Sequence, residues 1–265
     1  MNTTVVEKHF GRVGARVRIM EPRNLRSPRF GIDIANDSDG EYFSIEVPKS
    51  EEVELLPIEV RPDLRHLLLL VRRGESDDLT GKIIKDKYLC GHDERHWFVA
   101  GVEDNATTVL RAMESLRPSG LGFGVGKVRA KDRLRRRNSA FVRQGEWFFI
   151  PLPNFQAKES LVLRNEPISR GDGGKPHWCQ HLYRDGGTPV YVCNRHPRGV
   201  TTERYLQIVA RTPEAKSWNW RIMRRDARVY ARGRVSHPDH KTIDLPFWHG
   251  VLMNSEHREG VLFLD

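Results

Sequence analysis

The chain has 265 residues, enough for one large hydrophobic core or two small ones, and its 38% hydrophobic and 30% charged content is that of a globular rather than a disordered protein. The longest purely apolar run, Leu67 to Val71, is far short of the roughly 20 residues a membrane-spanning helix needs, so no membrane partner is expected. A net charge of +9 makes phosphate-bearing partners an expectation, and three cysteines with no C-x-x-C spacing (Cys90, Cys179 and Cys193) argue against a disulfide framework or a four-cysteine zinc site.

Met1 to Phe10 carries Glu7, Lys8 and His9 and no apolar stretch of the kind a secretory leader has, so a cytoplasmic location is expected. Residues 1–30 are basic and broken by Pro22 and Pro28. Within them Val13 to Met20 reads as a strand, with Arg16 and Arg18 opposite Ala15, Val17 and Ile19. Ile32 and Ile34 alternate with polar residues, Asn36 to Gly40 supplies turn chemistry, and Tyr42 to Val47 alternates again, which predicts a hairpin. Val53 to Val60 is another alternating segment, and Leu67 to Arg72 has the continuous apolar character of a buried strand. Gly74 to Lys82 is polar and loop-like. Residues 87–102 hold two apolar pieces around Gly91 to His96, which predicts strand, turn, strand. The clearest helix follows. Val109, Leu110, Met113 and Leu116 repeat at helical spacing, Asn105 or Thr107 can cap it, and Pro118 ends it. Four glycines between Gly120 and Gly126 mark a flexible junction.

The second half opens with a strong strand, Phe141 to Ile150, interrupted at Gly145 and stopped by Pro151 and Pro153. Leu161 to Leu163 and Pro189 to Cys193 read as strands, and Gly171 to Gly174 as a turn. Thr201 to Ala210 is a second helix with Tyr205, Ile208 and Val209 on its apolar face. Arg228 to Val235 and Lys241 to Leu245 are strands joined by His237-Pro238-Asp239-His240, and Phe247 to Met253 adds a last strand. The domain expectation is 1–119 as an N-terminal α+β domain, 120–137 as a glycine-rich and basic linker, and 138–265 as a β-rich domain.

Two short segments have the composition of a metal site. In His237-Pro238-Asp239-His240, proline and aspartate favour a tight turn that brings the two imidazoles together. In His177-Trp178-Cys179-Gln180-His181, the donor residues alternate, so on a strand His177, Cys179 and His181 would share one face. If the fold joins the segments, a divalent transition metal is the expected cofactor. Each segment also reads as a polar loop, with Cys179 a small core residue. His92-Asp93-Glu94-Arg95-His96 has the spacing of a helical metalloprotease pair, but its flanks read as strands, which would part the imidazoles.

A third candidate is electrostatic. Lys127, Arg129, Lys131, Arg133, Arg135, Arg136 and Arg137 form the densest basic run, with Phe141, Trp147, Phe148 and Phe149 just beyond it. Cations that neutralise phosphates and aromatics that stack on bases are the ingredients of DNA or RNA binding, although aromatics in a strong strand are equally those of a core. No Ser-His-Asp signature, nucleophile elbow or phosphate-loop lysine stands out.

Arg143-Gln144-Gly145-Glu146 with its following strand, a histidine segment, and His237 to Pro246 with its following strand resemble, over residues 141–257, a group of small uncharacterised bacterial proteins. Those carry an Arg-Gln-Gly-Asp strand, a Gly-His-x-His segment and a His-x-x-His strand pair. Glu146 stands here for their aspartate, and Lys175-Pro176-His177 for their Gly-His. The resemblance implies no activity. It implies a unit over 138–265 and a common role for the histidine segments.

The sequence therefore predicts an α+β protein, a mostly antiparallel β barrel or sandwich with two peripheral helices. Its leading functional expectation is nucleic-acid association in a bacterial cell through residues 127–137. The alternatives are a metal-binding β barrel, with or without metal-dependent enzyme activity, through His177, Cys179, His181, His237 and His240, and an interaction module with neither property.

Overall fold

The structure, a computed structural model, describes residues 3–22, 29–74, 83–169 and 175–255. Most of the loop expected over 74–82 and all of the turn expected over 171–174 lie outside them. The chain divides into two compact units, Met1–Ser119 with Asn254–Arg258, and Gly120–Met253 with Glu259–Asp265.

The first unit begins with a helix that the proline-broken N-terminal reading does not anticipate, α1 (Thr3–Arg12). Val6, Phe10 and Val13 fall at i, i+4 and i+7, and all three are buried. Gly14 at φ +80° ends the helix, and the Ala15 N–H donates to the Phe10 carbonyl at 3.0 Å. Strand β1 (Val17–Met20) pairs in parallel with β3 (Gly40–Glu46), which forms the expected hairpin with β2 (Gly31–Asp37). Four antiparallel strands make a second sheet in chain order: β4 (Val53–Arg61), β5 (His66–Gly74), β6 (Ile83–Asp93) and β7 (His96–Val102). Four of the five residues in the apolar run of β5, all but the half-buried Leu70, are fully buried because the strand serves two cores. Leu67, Leu69 and Val71 meet Phe10, Phe43 and Ile45, whereas Leu68 meets helix α2 (Val109–Ser115) through Val109 and Ala112. Thr108, rather than Asn105 or Thr107, caps α2, accepting the Arg111 N–H at 3.2 Å. His92 and His96 stand on the separate strands β6 and β7, so the helical metalloprotease geometry is absent.

The second unit starts where a flexible junction is expected. Gly122–Gly126 is instead a short helix, α3, and Leu121, Val125 and Val128 are buried against Ala140, Phe141 and Phe148. Three apolar side chains spaced through a glycine-rich run suffice to fix it to the unit. Strands β8 (Val142–Gln144), β9 (Trp147–Pro151), β10 (Leu163–Ile168), β11 (His177–Asp185), β15 (Arg228–Ser236) and β16 (Ile243–Met253) form one antiparallel sheet in the order β10-β11-β15-β16-β9-β8. The two strands expected over 241–253 are thus one. A smaller antiparallel sheet has the order β13-β12-β14, from β12 (Thr188–Cys193), β13 (His196–Thr201) and β14 (Arg221–Arg225), and helix α4 (Thr202–Arg211) follows β13 directly.

Every strand of the large sheet gives a side chain to a single core cluster: Val142, Phe149, Ile168, Cys179, Val235 and Leu245, in addition to others. Strand twist and bulges bend the sheet so that this face gathers residues from all six strands. Register shifts supply the bend, between Cys179 and His181 in the β11–β15 pairing and between Ala231 and Gly233 in the β15–β16 pairing. The opposite face buries Tyr183, Tyr230 and Trp248, with Phe155 stacked on Tyr230 at 4.1 Å. The α+β class with mostly antiparallel strands stands, but of the expected barrel or sandwich no closed barrel forms. Strands β10 and β8 remain edges of the sheet, and the described residues contain four α-helices rather than two.

Candidate metal centre

Three segments meet at one end of the inner face of the curled sheet. Strand β11 begins with His177, the β15–β16 connection carries His237 and His240, and the β8–β9 turn contributes Gln144, Gly145 and Glu146. The three imidazoles lie nearly parallel. Ring centroids are 4.2 Å apart for His177 and His237, 4.6 Å for His237 and His240, and 5.5 Å for His177 and His240. One nitrogen from each lies within 4.8 Å of the others. Two nitrogens on one metal ion stand about 3 to 4 Å apart at the usual bond length of about 2.1 Å, so the rings would have to turn out of their stack to converge on one ion.

Hydrogen bonds fix the proton on two of the rings. Gln144 is 1% exposed, and its Nε2 donates to the Lys241 carbonyl at 2.8 Å and the Val235 carbonyl at 3.3 Å. Those acceptors orient the amide, so its Oε1 faces His177 Nδ1 at 2.9 Å. An amide oxygen can only accept, hence Nδ1 carries the proton, and in a neutral ring Nε2 keeps its lone pair. His177 Nε2 is buried without a hydrogen-bond partner, and a Glu146 carboxylate oxygen stands 3.7 Å from it. By the same argument His237 accepts the Asp239 N–H at Nδ1 (3.1 Å) and donates from Nε2 to the Lys175 carbonyl (3.1 Å). Lys175 in turn holds the Asp239 carboxylate at 2.8 Å, tying the start of β11 to the histidine turn. Burial, then the adjacent His177 and His240 rings, hold His237 below the usual histidine range, against the Lys175 carbonyl and Asp239. A neutral ring is the form that ligates, and His237 must give up one of these two hydrogen bonds to do so.

Gly145 lets these groups come together. It has φ +58°, and a Cβ there would sit 2.7 Å from His240 Nε2 and 3.3 Å from His177 Cε1. The expected ligand set includes none of Gln144, Gly145 and Glu146. Their signals are a polar Gln-Gly-Glu interruption in an otherwise apolar strand and their place in the Arg143 to Glu146 motif of the resemblance.

Cys179 and His181 do not join the three histidines. Cys179 lies in the inner core, where burial pushes its thiol up to about 12, so it remains a protonated core residue. His181 faces away. Core residues on β11 fall at Cys179 and Leu182, three apart rather than two, because the pairing with β15 slips by one residue between them. His181 instead shares an open hollow with Trp178, Gln180, Arg164 and Arg234. His249 is buried elsewhere, with Nδ1 on the Phe247 carbonyl at 2.8 Å.

In the basic run Lys127, Arg129, Lys131, Arg135 and Arg137 are exposed, Arg135 pairing with Asp132 at 3.1 Å and Arg137 donating to the Asp244 carbonyl, whereas Arg133 is half-buried and donates from Nε to the Val128 carbonyl. Arg136 is half-buried, and its carbonyl accepts the Arg143 N–H. Phe141, Trp147, Phe148 and Phe149 are all buried, so this surface offers none of them for base stacking. No family model, curated protein or solved structure matches the chain.

Proposed function

We propose that the protein binds a divalent transition metal ion through His177, His237 and His240, with Glu146 supplying the carboxylate that balances its charge. The observation that supports this reading best is the buried Nε2 lone pair of His177, facing a carboxylate and two further imidazoles. The buried Nε2 of His177 is an unsatisfied polar atom, at a cost of about 1–3 kcal/mol. A cation bound to its lone pair removes that penalty. Gln144 acts as such sites require, holding the ligand ring and its tautomer through the nitrogen away from the ion. A donor set rich in imidazole suits zinc, nickel, copper or iron and disfavours magnesium and calcium, which prefer oxygen. Three protein nitrogens leave coordination positions for water or a substrate, the arrangement of metal-dependent catalysis rather than of a closed structural site.

The test is elemental analysis of the purified chain, followed by thermal unfolding with added zinc, nickel, iron(II) or magnesium. The expected result is about one transition metal ion per chain, or a rise in the unfolding temperature with the first three and not with magnesium. The His177→Ala and His240→Ala variants would lose both. A chain that purifies without metal and whose unfolding is unmoved by any of the transition metals would refute the reading.

A further inference from the structure

The small sheet of the second unit carries an inference independent of the histidine site. Residues 188–225, which span this sheet and α4, hold eight arginines and lysines against only Glu203 and Glu214. Their aromatic side chains do not form a closed core. No residue of α4 is buried, and Leu206 and Ile222 are 59% and 70% exposed.

The rings are nevertheless ordered. Tyr191 of β12 and Tyr205 of α4 stack at 4.0 Å and 5°, fastening helix to sheet. Trp220 stands edge-on to Tyr205 at 5.2 Å, and its Nε1 donates to the Ala215 carbonyl at 2.7 Å. Outside this anchored trio, His196 and Trp218 lie within 11° and 24° of the Trp220 plane and are only half-buried. The Arg195 guanidinium covers the Trp218 ring at 4.2 Å. The cations divide in the same way. Arg224 and Arg225 donate to the backbone carbonyls of Gly186 and Gly199 and brace the connections, whereas Arg195, Arg198 and Arg221 are exposed.

Half-exposed parallel rings rimmed by arginines match one kind of partner. An apolar surface would strip water from the guanidinium groups without pairing them. An acidic helix would pair them and leave the ring faces unused. A nucleic acid strand with unpaired bases uses both, its bases stacking on rings and its phosphates meeting arginines. We propose that the β12–β14 and α4 layer binds single-stranded nucleic acid, with a base taking the place of the Arg195 guanidinium over Trp218, His196 as a second stacking face, and the displaced Arg195 with Arg198 and Arg221 as phosphate contacts.

The test is fluorescence anisotropy of the full chain with labelled oligouridine and labelled oligodeoxythymidine, between about 50 and 200 mM salt. A chelator is present throughout, so the outcome does not depend on the histidine site. Binding that weakens as salt rises is expected for at least one strand, and the tighter of the two identifies RNA or DNA as the source. Trp218→Ala should weaken it about ten-fold or more, and Trp218→Phe, which keeps a ring face, should restore most of it. Replacing Arg195, Arg198 and Arg221 together by alanine should reduce the salt slope by about 2. Circular dichroism confirms that each variant is folded. Failure to bind either strand at about 50 mM salt would overturn the proposal. So would wild-type binding by folded Trp218→Ala and the triple variant, with loss confined to Arg135→Ala and Arg137→Ala.

Discussion

Gly145→Ala separates the histidine site from its scaffold. The residue adopts φ +58°, and an added Cβ would meet His240 Nε2 at 2.7 Å, His240 Cδ2 at 3.2 Å and His177 Cε1 at 3.3 Å. Two costs follow. The left-handed backbone disfavours any L side chain by about 1–2 kcal/mol, and expelling the His240 ring adds an overpacking cost of about 1–3 kcal/mol. Gly186→Ala is the matched control in the same unit, because Gly186 has φ +72° and nothing within 4 Å of its Cβ position. The control should lose only the backbone portion. The decisive readout is metal-dependent. At free metal 100-fold above Kd, binding stabilises the folded chain by about 2.7 kcal/mol, and a 100-fold loss of affinity reduces that to about 0.4 kcal/mol. Chemical denaturation with and without zinc measures both quantities. Gly186→Ala should keep the full metal increment and Gly145→Ala should keep almost none. Equal increments in the two variants would show that the space beside Gly145 has nothing to do with metal.

Three further outcomes test other parts of the argument. Gln144→Leu should weaken metal binding about 10- to 100-fold by releasing the His177 ring, and should cost about 1–3 kcal/mol by leaving the Val235 and Lys241 carbonyls without their donor; isothermal titration and urea melts measure the two, and unchanged affinity would remove Gln144 from the site. Leu182→Ala on the fully buried inner face should lower unfolding free energy by about 2–5 kcal/mol, and a loss below about 1 kcal/mol would contradict a packed concave core. In the first unit, the Arg16 guanidinium holds the Asp37 carboxyl below its ordinary value. A depressed folded-state value means that its stabilisation is present above the unfolded pKa of about 3.8 and is lost as pH falls through the folded value. Asp37→Asn should therefore lower stability near neutrality and flatten the acid limb of an acid-unfolding curve; an identical acid limb would show that the pair contributes nothing.

The parts of the fold legible in the sequence are those in which local pattern and tertiary role coincide. The alternation of 31–47 gives the β2–β3 hairpin, the apolar run at Leu67 gives β5, and the capped amphipathic stretch after Thr201 gives α4. Helix α1 is a different matter. Its Val6, Phe10 and Val13 spacing is present, but Pro22 and Pro28 dominate a composition-led reading of the first thirty residues. The site divides along the same line. His177, His237 and His240 announce themselves by residue type. Gln144 and Glu146 acquire a role only when β8 and β9 come to the same end of the sheet as the start of β11, and no local pattern encodes that. The strict alternation that groups His181 with His177 fails because the β11–β15 pairing slips beside Gly233, which adopts φ +83°.

The site's three segments, at 144–146, at 177 and at 237–240, are far apart along the chain. No pair of them forms a local hairpin, so the imidazoles meet only after β8, β11 and β15 have found one another, which places this encounter among the slow, high-separation steps of folding. An ion held there grips contacts made late. Its influence should accordingly be felt in how rarely the finished sheet opens rather than in how quickly it forms, so that metal would lengthen the lifetime of the native state and leave the refolding rate almost untouched.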